Sequence, residues 1–193
     1  MPGMLMAVLM LVTPATSRGQ DHLDFPLVQH GACPGECCVY GAWMALGKVP
    51  VFAERGAERD TLFTLGEGEL FVAVTGEVHV LEPGVVVVRR PHAALALRPG
   101  ETGLDSLWFA PGDTVYALDY LGEGFFNLWV DGSTWEVEAF WGTPEDPPGI
   151  DMPAWAEADP VTEWWVKVRT NDGREGWLEM KRGIPVRGYD ACG

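Results

Sequence analysis

The run WWVKVRTNDGREGWL, residues 164–178, decides the fold. Two segments rich in aromatic and β-branched residues flank Asn171-Asp172-Gly173, and Asp172-Gly173 can supply the positive φ that a tight hairpin turn requires. Side chains alternate between the two faces of a strand, so Trp164 falls on one face and Trp165 on the other, beside Lys167. The run predicts a β-hairpin with one wet face, on which we expect Trp165 to be exposed.

Short apolar runs separated by Gly and Pro continue this pattern along the chain. The 193 residues include 24 Gly and 15 Pro, with 47% hydrophobic and 21% charged residues, a globular composition with many turns. An all-β fold is therefore expected, and residues 93–97 fit either a short helix or a strand. Strands are predicted at residues 39–45, 48–54, 61–65, 70–75, 78–81, 85–88, 125–130 and 134–140.

A weak internal repeat divides these strands between two units. Gly68-Glu69 and Gly112-Asp113 each open an apolar strand, and a Gly-Glu turn follows each strand, at Gly76-Glu77 and Gly122-Glu123. This period is the one expected of tandem small β-domains. Residues 142–163 then break the pattern with an acidic, Pro-rich segment, and loops of that length are usually functional or disordered.

The residues of the hairpin resemble the closing strands of bacterial SH3-like (SH3b) domains. Those domains carry a Trp-x-Lys-Val-Arg run, an Asp-Gly turn and a Gly-Trp-aliphatic ending, which match Trp165 to Arg169, Asp172-Gly173 and Gly176-Trp177-Leu178. The resemblance implies two small SH3-like β-barrels in tandem that bind rather than catalyse. The first copy would be degenerate because it lacks the Gly-Trp ending, and residues 49–54 replace the family's short Val-Arg strand, so groove residues there are not carried over.

The domain organisation that follows has six parts. They are a signal peptide at residues 1–17, an arm and Cys-rich turn at 18–39, a first SH3-like domain at 40–90, a linker at 91–107, a second SH3-like domain at 108–182 carrying the insertion 142–163, and a tail at 183–193 that contains Cys192.

The first residues have the pattern of an export signal. An apolar run at residues 4–12 precedes Pro14 and the small residues Ala15-Thr16-Ser17, with cleavage expected after Ser17. The run is too short to cross a bilayer, which disfavours a transmembrane anchor. A buried N-terminal strand of a cytosolic protein is the remaining alternative. We expect a periplasmic or extracellular protein with no membrane insertion after cleavage.

The four cysteines are Cys33, Cys37, Cys38 and Cys192. In an exported chain an even number predicts disulfides, and four cysteines allow three connectivities. A bond between the adjacent Cys37 and Cys38 would be strained, so each is expected to pair with Cys33 or Cys192. The rival is a four-thiolate zinc site, but adjacent ligands do not fit the usual spacing, so no metal is expected.

The charge of the chain limits its partners. The formal net charge is −15, from 28 acidic and 13 basic residues. Such a surface repels phosphate backbones and anionic lipids, so we expect neither nucleic acid nor a membrane surface as partner. We interpret the acidity as a solubilising surface rather than a trap for basic partners.

The sequence contains no catalytic signature, so we expect no enzyme and no cofactor. No serine lies in a Gly-x-Ser-x-Gly elbow, and cysteines in bridges leave no thiol nucleophile. His79 alternates with valines and is interpreted as a sheet-surface residue. Pairs such as Glu136 and Glu138 are interpreted as solvated strand faces rather than glycosidase acids.

Aromatic residues are the candidate ligand contacts. Nine Trp, eight Phe and four Tyr exceed the needs of two small cores, and an aromatic platform with an acidic rim suits peptide or glycan recognition. Packing in the core is the alternative for each side chain. The candidates are Tyr116, Tyr120, Trp129, Trp165 and Trp177.

Two hypotheses for function remain. The chain is either an exported binding module that recognises cell-wall glycan, peptide or envelope protein through an aromatic groove, or a structural accessory protein that mediates assembly without a small ligand. An enzyme acting on cell-wall fragments ranks third.

The cysteine interpretation predicts two bridges. The intact mass of the unreduced protein should be lower than that of the reduced protein by the hydrogens of two disulfides. An unreduced mass equal to the reduced mass, together with bound zinc in native mass spectrometry, would establish the metal site instead.

Overall fold

A computed structural model describes residues 23–147 and 149–191. Every regular element in these residues is a β-strand, so the prediction of an all-β fold is confirmed. The predicted signal peptide, residues 1–17, lies outside the described residues. The first eight strands are β1 (Leu27–His30), β2 (Gly41–Ala45), β3 (Val49–Phe52), β4 (Thr61–Leu65), β5 (Leu70–Glu82), β6 (Gly84–Val88), β7 (His92–Leu97) and β8 (Leu104–Phe109). The others are β9 (Thr114–Gly122), β10 (Phe125–Val130), β11 (Ser133–Glu138), β12 (Trp141–Gly142), β13 (Ala154–Ala158), β14 (Val161–Thr170), β15 (Glu175–Met180) and β16 (Val186–Arg187).

The strands form two sheets with matching strand orders. The first sheet runs β16-β2-β5-β14-β15-β3-β4, with β1 added beside β5. The second runs β13-β6-β9-β10-β11-β7-β8, with β12 beside β13. Each pair of neighbouring strands in these two orders is antiparallel. The second sheet therefore repeats the topology of the first, strand for strand.

The opening turns of the sequence repeat have the same geometry in both sheets, but the turn predicted at Gly76-Glu77 is wrong because these residues lie inside β5, Leu70–Glu82. In turns 66–69 and 110–113 the first backbone N–H bonds the acidic side chain of the fourth residue, at 2.8 Å in each. The third residue of each turn is a glycine with positive φ, 77° and 92°. The N–H of this glycine donates to a strand-ending carbonyl at 2.8 Å in both sheets. The acceptor is Ala45 at the end of β2 in the first sheet and Val88 at the end of β6 in the second.

The second sheet is inserted into the first rather than following it. Strands β5 and β14 pair from Glu82 with Val161 to Phe71 with Thr170, and the chain between them forms the whole second sheet. The hairpin of β14 and β15 thus closes the first unit. Its assignment to the unit at 108–182 is wrong, and the boundaries 40–90 and 108–182 do not coincide with the sheets.

Three other segments also differ from the predictions. The proposed linker 91–107 contains β7 and most of β8, and residues 93–97 are strand rather than helix. The insertion 142–163 contains β13, which pairs with β6. The arm 18–39 contains β1, which pairs with β5. These strands are only four to six residues long and carry little periodicity, so tertiary pairing rather than local pattern decides them.

Each sheet encloses its own hydrophobic core. The apolar face of a sheet must be covered, and the buried apolar residues of each sheet form a separate cluster. The first core is formed by Trp43, Ala45, Val49, Val51, Leu65, Phe71, Ala73, Val166, Val168, Leu178 and Val186. The second is formed by Val86, Val88, Ala94, Ala96, Phe109, Val115, Ala117, Leu128, Val130, Trp135, Val137, Phe140, Trp141 and Ala154.

A smaller contact joins the two sheets. Val78 and Val80 of β5 pack against Leu118 of β9. Beside them the Gln29 side chain donates to the Asp119 carboxylate and accepts from the Asn127 amide, which lies 3.0 Å from the same carboxylate oxygen. Burial raises the pKa of Asp119, an effect that the hydrogen bonds from Asn127 and Gln29 oppose. Strand β1 thus belongs to the first sheet, while the side chain of its Gln29 forms hydrogen bonds with the second sheet.

The cysteines tie the arm to itself and lie beside the end of the described chain. Cys33 and Cys38 form a disulfide, and Cys37 is also disulfide-bonded, which removes these residues from a zinc site. The N–H of Ala191 donates to the Cys37 carbonyl at 2.9 Å, and Cys38 forms a β-bridge with Asp190. Cys192 lies outside the described residues. The backbone thus brings the Cys-rich turn beside the last described residues.

Gly176 provides a test of the close approach of β15 to β3 in the first sheet. A Cβ at this position would lie 2.6 Å from Val51 Cγ1 and 2.8 Å from the Phe52 carbonyl oxygen. We expect Gly176→Ala to lower the free energy of unfolding by about 1–3 kcal/mol, the usual cost of overpacking. Urea denaturation measures the change.

Gly103→Ala is the matched control, because no atom lies within 4 Å of a Cβ there. Its free energy of unfolding should stay within about 0.5 kcal/mol of the parent, as for most surface substitutions. Equal stabilities of the two variants would contradict the close approach of β15 and β3.

Candidate functional site

The five aromatic residues predicted as ligand contacts do not share one groove. Trp165 and Trp177 lie on β14 and β15 of the first sheet, whereas Tyr116, Tyr120 and Trp129 lie on β9 and β10 of the second. Tyr116 and Trp129 are cross-strand neighbours, and Trp129 also packs against the contact between the sheets. Tyr120 is 41% exposed.

Trp165 is fully buried, so the expectation that it is exposed is wrong. Its indole N–H donates to Glu163 at 2.9 Å, and the Arg59 guanidinium lies 4.8 Å from its ring centroid. The Phe52 ring meets it edge-on, with centroids 6.2 Å apart. Alternation assigned Trp165 to the outer face correctly, but the loop between β3 and β4 folds over that face and covers it.

The covering loop contributes two arginines to an ordered layer. Arg55 lies 4.1 Å over the Trp177 ring and 2.7 Å from a Glu77 carboxylate oxygen, and Arg59 pairs with Glu179. A guanidinium over an aromatic face contributes roughly 0.5–2 kcal/mol, most when it is desolvated. We call Phe52, Arg55, Arg59, Trp165 and Trp177 the arginine-aromatic layer. It covers the part of the outer face around Trp165 and Trp177 with the chain's own side chains.

A buried carboxylate lies at the edge of this layer. Glu77 Oε1 is 3.1 Å from His30 Nδ1, and its Oε2 is 3.1 Å from His79 Nε2. Burial acts to raise the pKa of Glu77, but the hydrogen bond from His79, the charge of Arg55 and the contact with His30 outweigh burial and lower this pKa. His79 is only 8% exposed, so its interpretation as a surface residue is wrong. A cavity of about 370 Å³ opens beside Glu54, Arg55 and His79.

The corresponding face of the second sheet is built differently. In the first sheet Trp177 of β15 pairs with Phe52 of β3, and in the second Glu136 of β11 pairs with Leu97 of β7. The loop that covers the first face spans residues 53–60, whereas its counterpart spans the shorter 98–103. Both the aromatic platform and part of its cover are therefore missing from the second face.

An open groove of about 600 Å³ occupies this second face. Its exposed apolar members are Leu104 (67% exposed), Leu95 (65%) and Phe125 (37%). Leu97 and Leu104 are directly paired across β7 and β8, and Leu95 is paired with Ser106, so these side chains share one face. We call this surface the second-sheet groove. It was not found from the sequence, although the alternation within residues 93–97 places Leu95 and Leu97 on one face if that segment is a strand.

The charges that line the second-sheet groove are negative. Glu136 and Glu138 both line it, and they lie on the same face of β11 because they are two residues apart. His92 also lines it, but burial, followed by the charge of nearby Arg90, lowers the pKa of this ring. The ring is therefore neutral at physiological pH. Arg90 itself pairs with Asp151 at 3.0 Å.

Within residues 23–147 and 149–191, no three or more His, Cys, Asp or Glu side chains are placed to hold a metal ion. The same residues include no helix long and apolar enough to cross a membrane.

Comparison of the chain with family models, with curated proteins and with solved structures gives no match.

The contacts of Glu77 with His30, His79 and Arg55 predict that its contribution to stability depends on pH. Glu77→Gln should lower the free energy of unfolding by about 1.5–3 kcal/mol at pH 7, the range for hydrogen bonds to charged groups. A carboxyl whose pKa is lower in the folded state stabilises the fold above its unfolded pKa, here an ordinary value of 4.5, and loses that contribution as the pH falls through the folded pKa. The difference between parent and variant should therefore shrink between pH 7 and pH 3.5 in urea titrations.

Glu67→Gln serves as the control, because Glu67 is exposed. It should leave stability nearly unchanged at both pH values. A Glu77→Gln effect of the same size at pH 7 and pH 3.5 would show that the charge of Glu77 does not carry the stabilisation.

Proposed function

We propose that this chain is an exported, non-catalytic binding module made of two SH3-like barrels, with the second inserted into the first. It recognises peptide or other cell-envelope material in the second-sheet groove. The SH3-like assignment is supported by the Trp165–Leu178 hairpin motif and by the strand order that the two sheets share. Export is supported by the Cys33–Cys38 disulfide and by the signal-like first residues.

One observation supports the placement of the binding site in the second-sheet groove. The same position of the same topology is filled by the arginine-aromatic layer in the first sheet and is open in the second. The layer therefore covers Trp165 and Trp177 without a ligand, although Leu70 and Val72 on β5 of the same sheet are 55% and 43% exposed. The second face leaves Leu95 and Leu104 about two-thirds exposed, and contiguous exposed apolar surface marks interaction sites.

A binding role accounts for the lining better than catalysis does. The groove is mostly apolar, with a few polar groups at its side, which is the usual composition of a recognition site. Glu138 is exposed, so its carboxylate is hydrated rather than held in the apolar pocket that a general acid requires.

A structural accessory role is the second candidate. Strand β8 ends the second sheet, and Leu104 and Trp108 on it are 67% and 59% exposed. Such an edge favours association with another protein. In this case the same surface would hold an envelope protein, and no small ligand would bind.

The test compares ligand capture by the parent and by a groove variant. The purified protein is incubated with peptidoglycan sacculi and with an immobilised peptide array, and the bound fraction is measured. We expect Leu95→Asn combined with Leu104→Asn to reduce binding at least tenfold. Both side chains are exposed, so the substitutions should preserve the fold, which circular dichroism checks.

Leu70→Asn is the matched control, because Leu70 is 55% exposed on β5 of the first sheet. It should bind as the parent does. Absence of binding to both materials, or binding unaffected by the groove variant, would overturn the proposal. Trp165→Ala is unsuitable as a probe, because Trp165 is fully buried and its removal would disturb the fold.

A further inference from the structure

We propose that the second-sheet groove receives an extended protein segment that is both apolar and basic. This inference rests on the proposed function and adds the chemistry of the partner. The segment would place branched apolar side chains against Leu95, Leu104 and Phe125 and direct lysine or arginine side chains to Glu136 and Glu138.

The apolar part of the inference follows from the groove floor. Leu95, Leu97 and Leu104 come from two paired strands, so they form a continuous aliphatic strip rather than isolated exposed side chains. Phe125 on β10 and Met152 in the segment between β12 and β13 line the same groove. Covering each exposed leucine would return roughly 25 cal/mol for every Å² removed from water. A purely polar partner could not cover this strip without losing water from its own polar groups.

The basic part follows from charge complementarity. The two carboxylates in the lining face no positive lining partner, because His92 is neutral at physiological pH and Arg90 is paired with Asp151. Arg98, the residue after β7, forms a cation–π contact with Trp135, its guanidinium carbon lying 4.3 Å from the ring centroid. The net charge of −15 adds a long-range field of the same sign. A cationic partner would be attracted over distance and would neutralise Glu136 and Glu138 on docking.

The same lining argues against other occupants. Glycan strands stack on exposed aromatic platforms, whereas Phe125 is the one exposed aromatic side chain lining this groove and Phe140 is buried. A second copy of this chain would bring its own net charge of −15 to an acidic surface. Acidic peptides and nucleic acids are disfavoured for the same reason.

The test uses fluorescence polarisation with the full chain and three labelled heptapeptides. One alternates lysine and valine, one alternates glutamate and valine, and one alternates lysine and serine. We expect the lysine-valine peptide to bind at least tenfold more tightly than either of the others. Its affinity should fall as sodium chloride is raised from 50 to 500 mM, since salt screens exposed charges.

Two charge variants with the same net charge locate the effect. Glu136→Gln combined with Glu138→Gln should weaken binding of the lysine-valine peptide about fivefold to tenfold. Glu58→Gln combined with Glu67→Gln removes two exposed carboxylates of the first unit and should change affinity less than twofold. Equal weakening by both pairs would show that net charge alone attracts the peptide and would overturn the inference.

The outcomes separate this inference from the proposed function. Binding of sacculi that is lost in the Leu95→Asn, Leu104→Asn variant, without binding of the lysine-valine peptide, would retain the groove and reject a basic apolar segment. Tight binding of the glutamate-valine peptide would reject the charge argument. Concentration-dependent dimers in sedimentation velocity that the groove variant abolishes would identify a second copy as the occupant. Failure of every ligand to respond to the groove variant would reject both proposals.

Discussion

The pairing of β5 with β14 is the interaction on which the rest of this structure depends. It joins residues on either side of an entire second sheet, along ten paired positions from Glu82 with Val161 to Phe71 with Thr170. Closing such a long loop would be entropically costly if the inserted chain were unstructured. The inserted sheet reduces that cost because its own folding brings its ends together. A Cβ on Gly84, where the chain enters, would lie 2.8 Å from Pro160, where it returns.

Repetition of one topology allows the two faces to be compared within a single molecule. The matched strand orders place Trp177 with Phe52 in one sheet where the other has Glu136 with Leu97. The first unit uses its loop 53–60 to complete its own surface, with Arg55 and Arg59 over aromatic rings. The second unit has a shorter loop and an uncovered aliphatic strip. The two units thus share a topology, and the difference in loop and side chains leaves one face covered and the other open.

Strand β1 connects the two units through buried polar groups. On one side His30 contacts Glu77 of the first sheet, and on the other Gln29 bonds Asp119 of the second. The two carboxyls respond to burial in opposite ways. Burial dominates at Asp119 and raises its pKa, whereas His79 and Arg55 overcome burial at Glu77 and lower its pKa. Removing the arm would therefore leave polar groups of both sheets without their partners.

The sequence by itself determined the class of the fold, the closing hairpin and the turn that opens each copy of the repeat. These are local properties: alternation assigns faces, and Gly68-Glu69 and Gly112-Asp113 each specify a turn through a nearby side chain and a positive φ. Only the tertiary structure decided which strands meet. Residues 161–180 carry the Gly-Trp ending that residues 40–90 lack, but nothing local distinguishes pairing with β5 from pairing with β9. The burial of Trp165 and the open groove at Leu95 and Leu104 were decided at the same level, because both depend on which loop crosses the face of which sheet. Alternation states which side of a strand a residue occupies, and only the folded chain determines what covers that side.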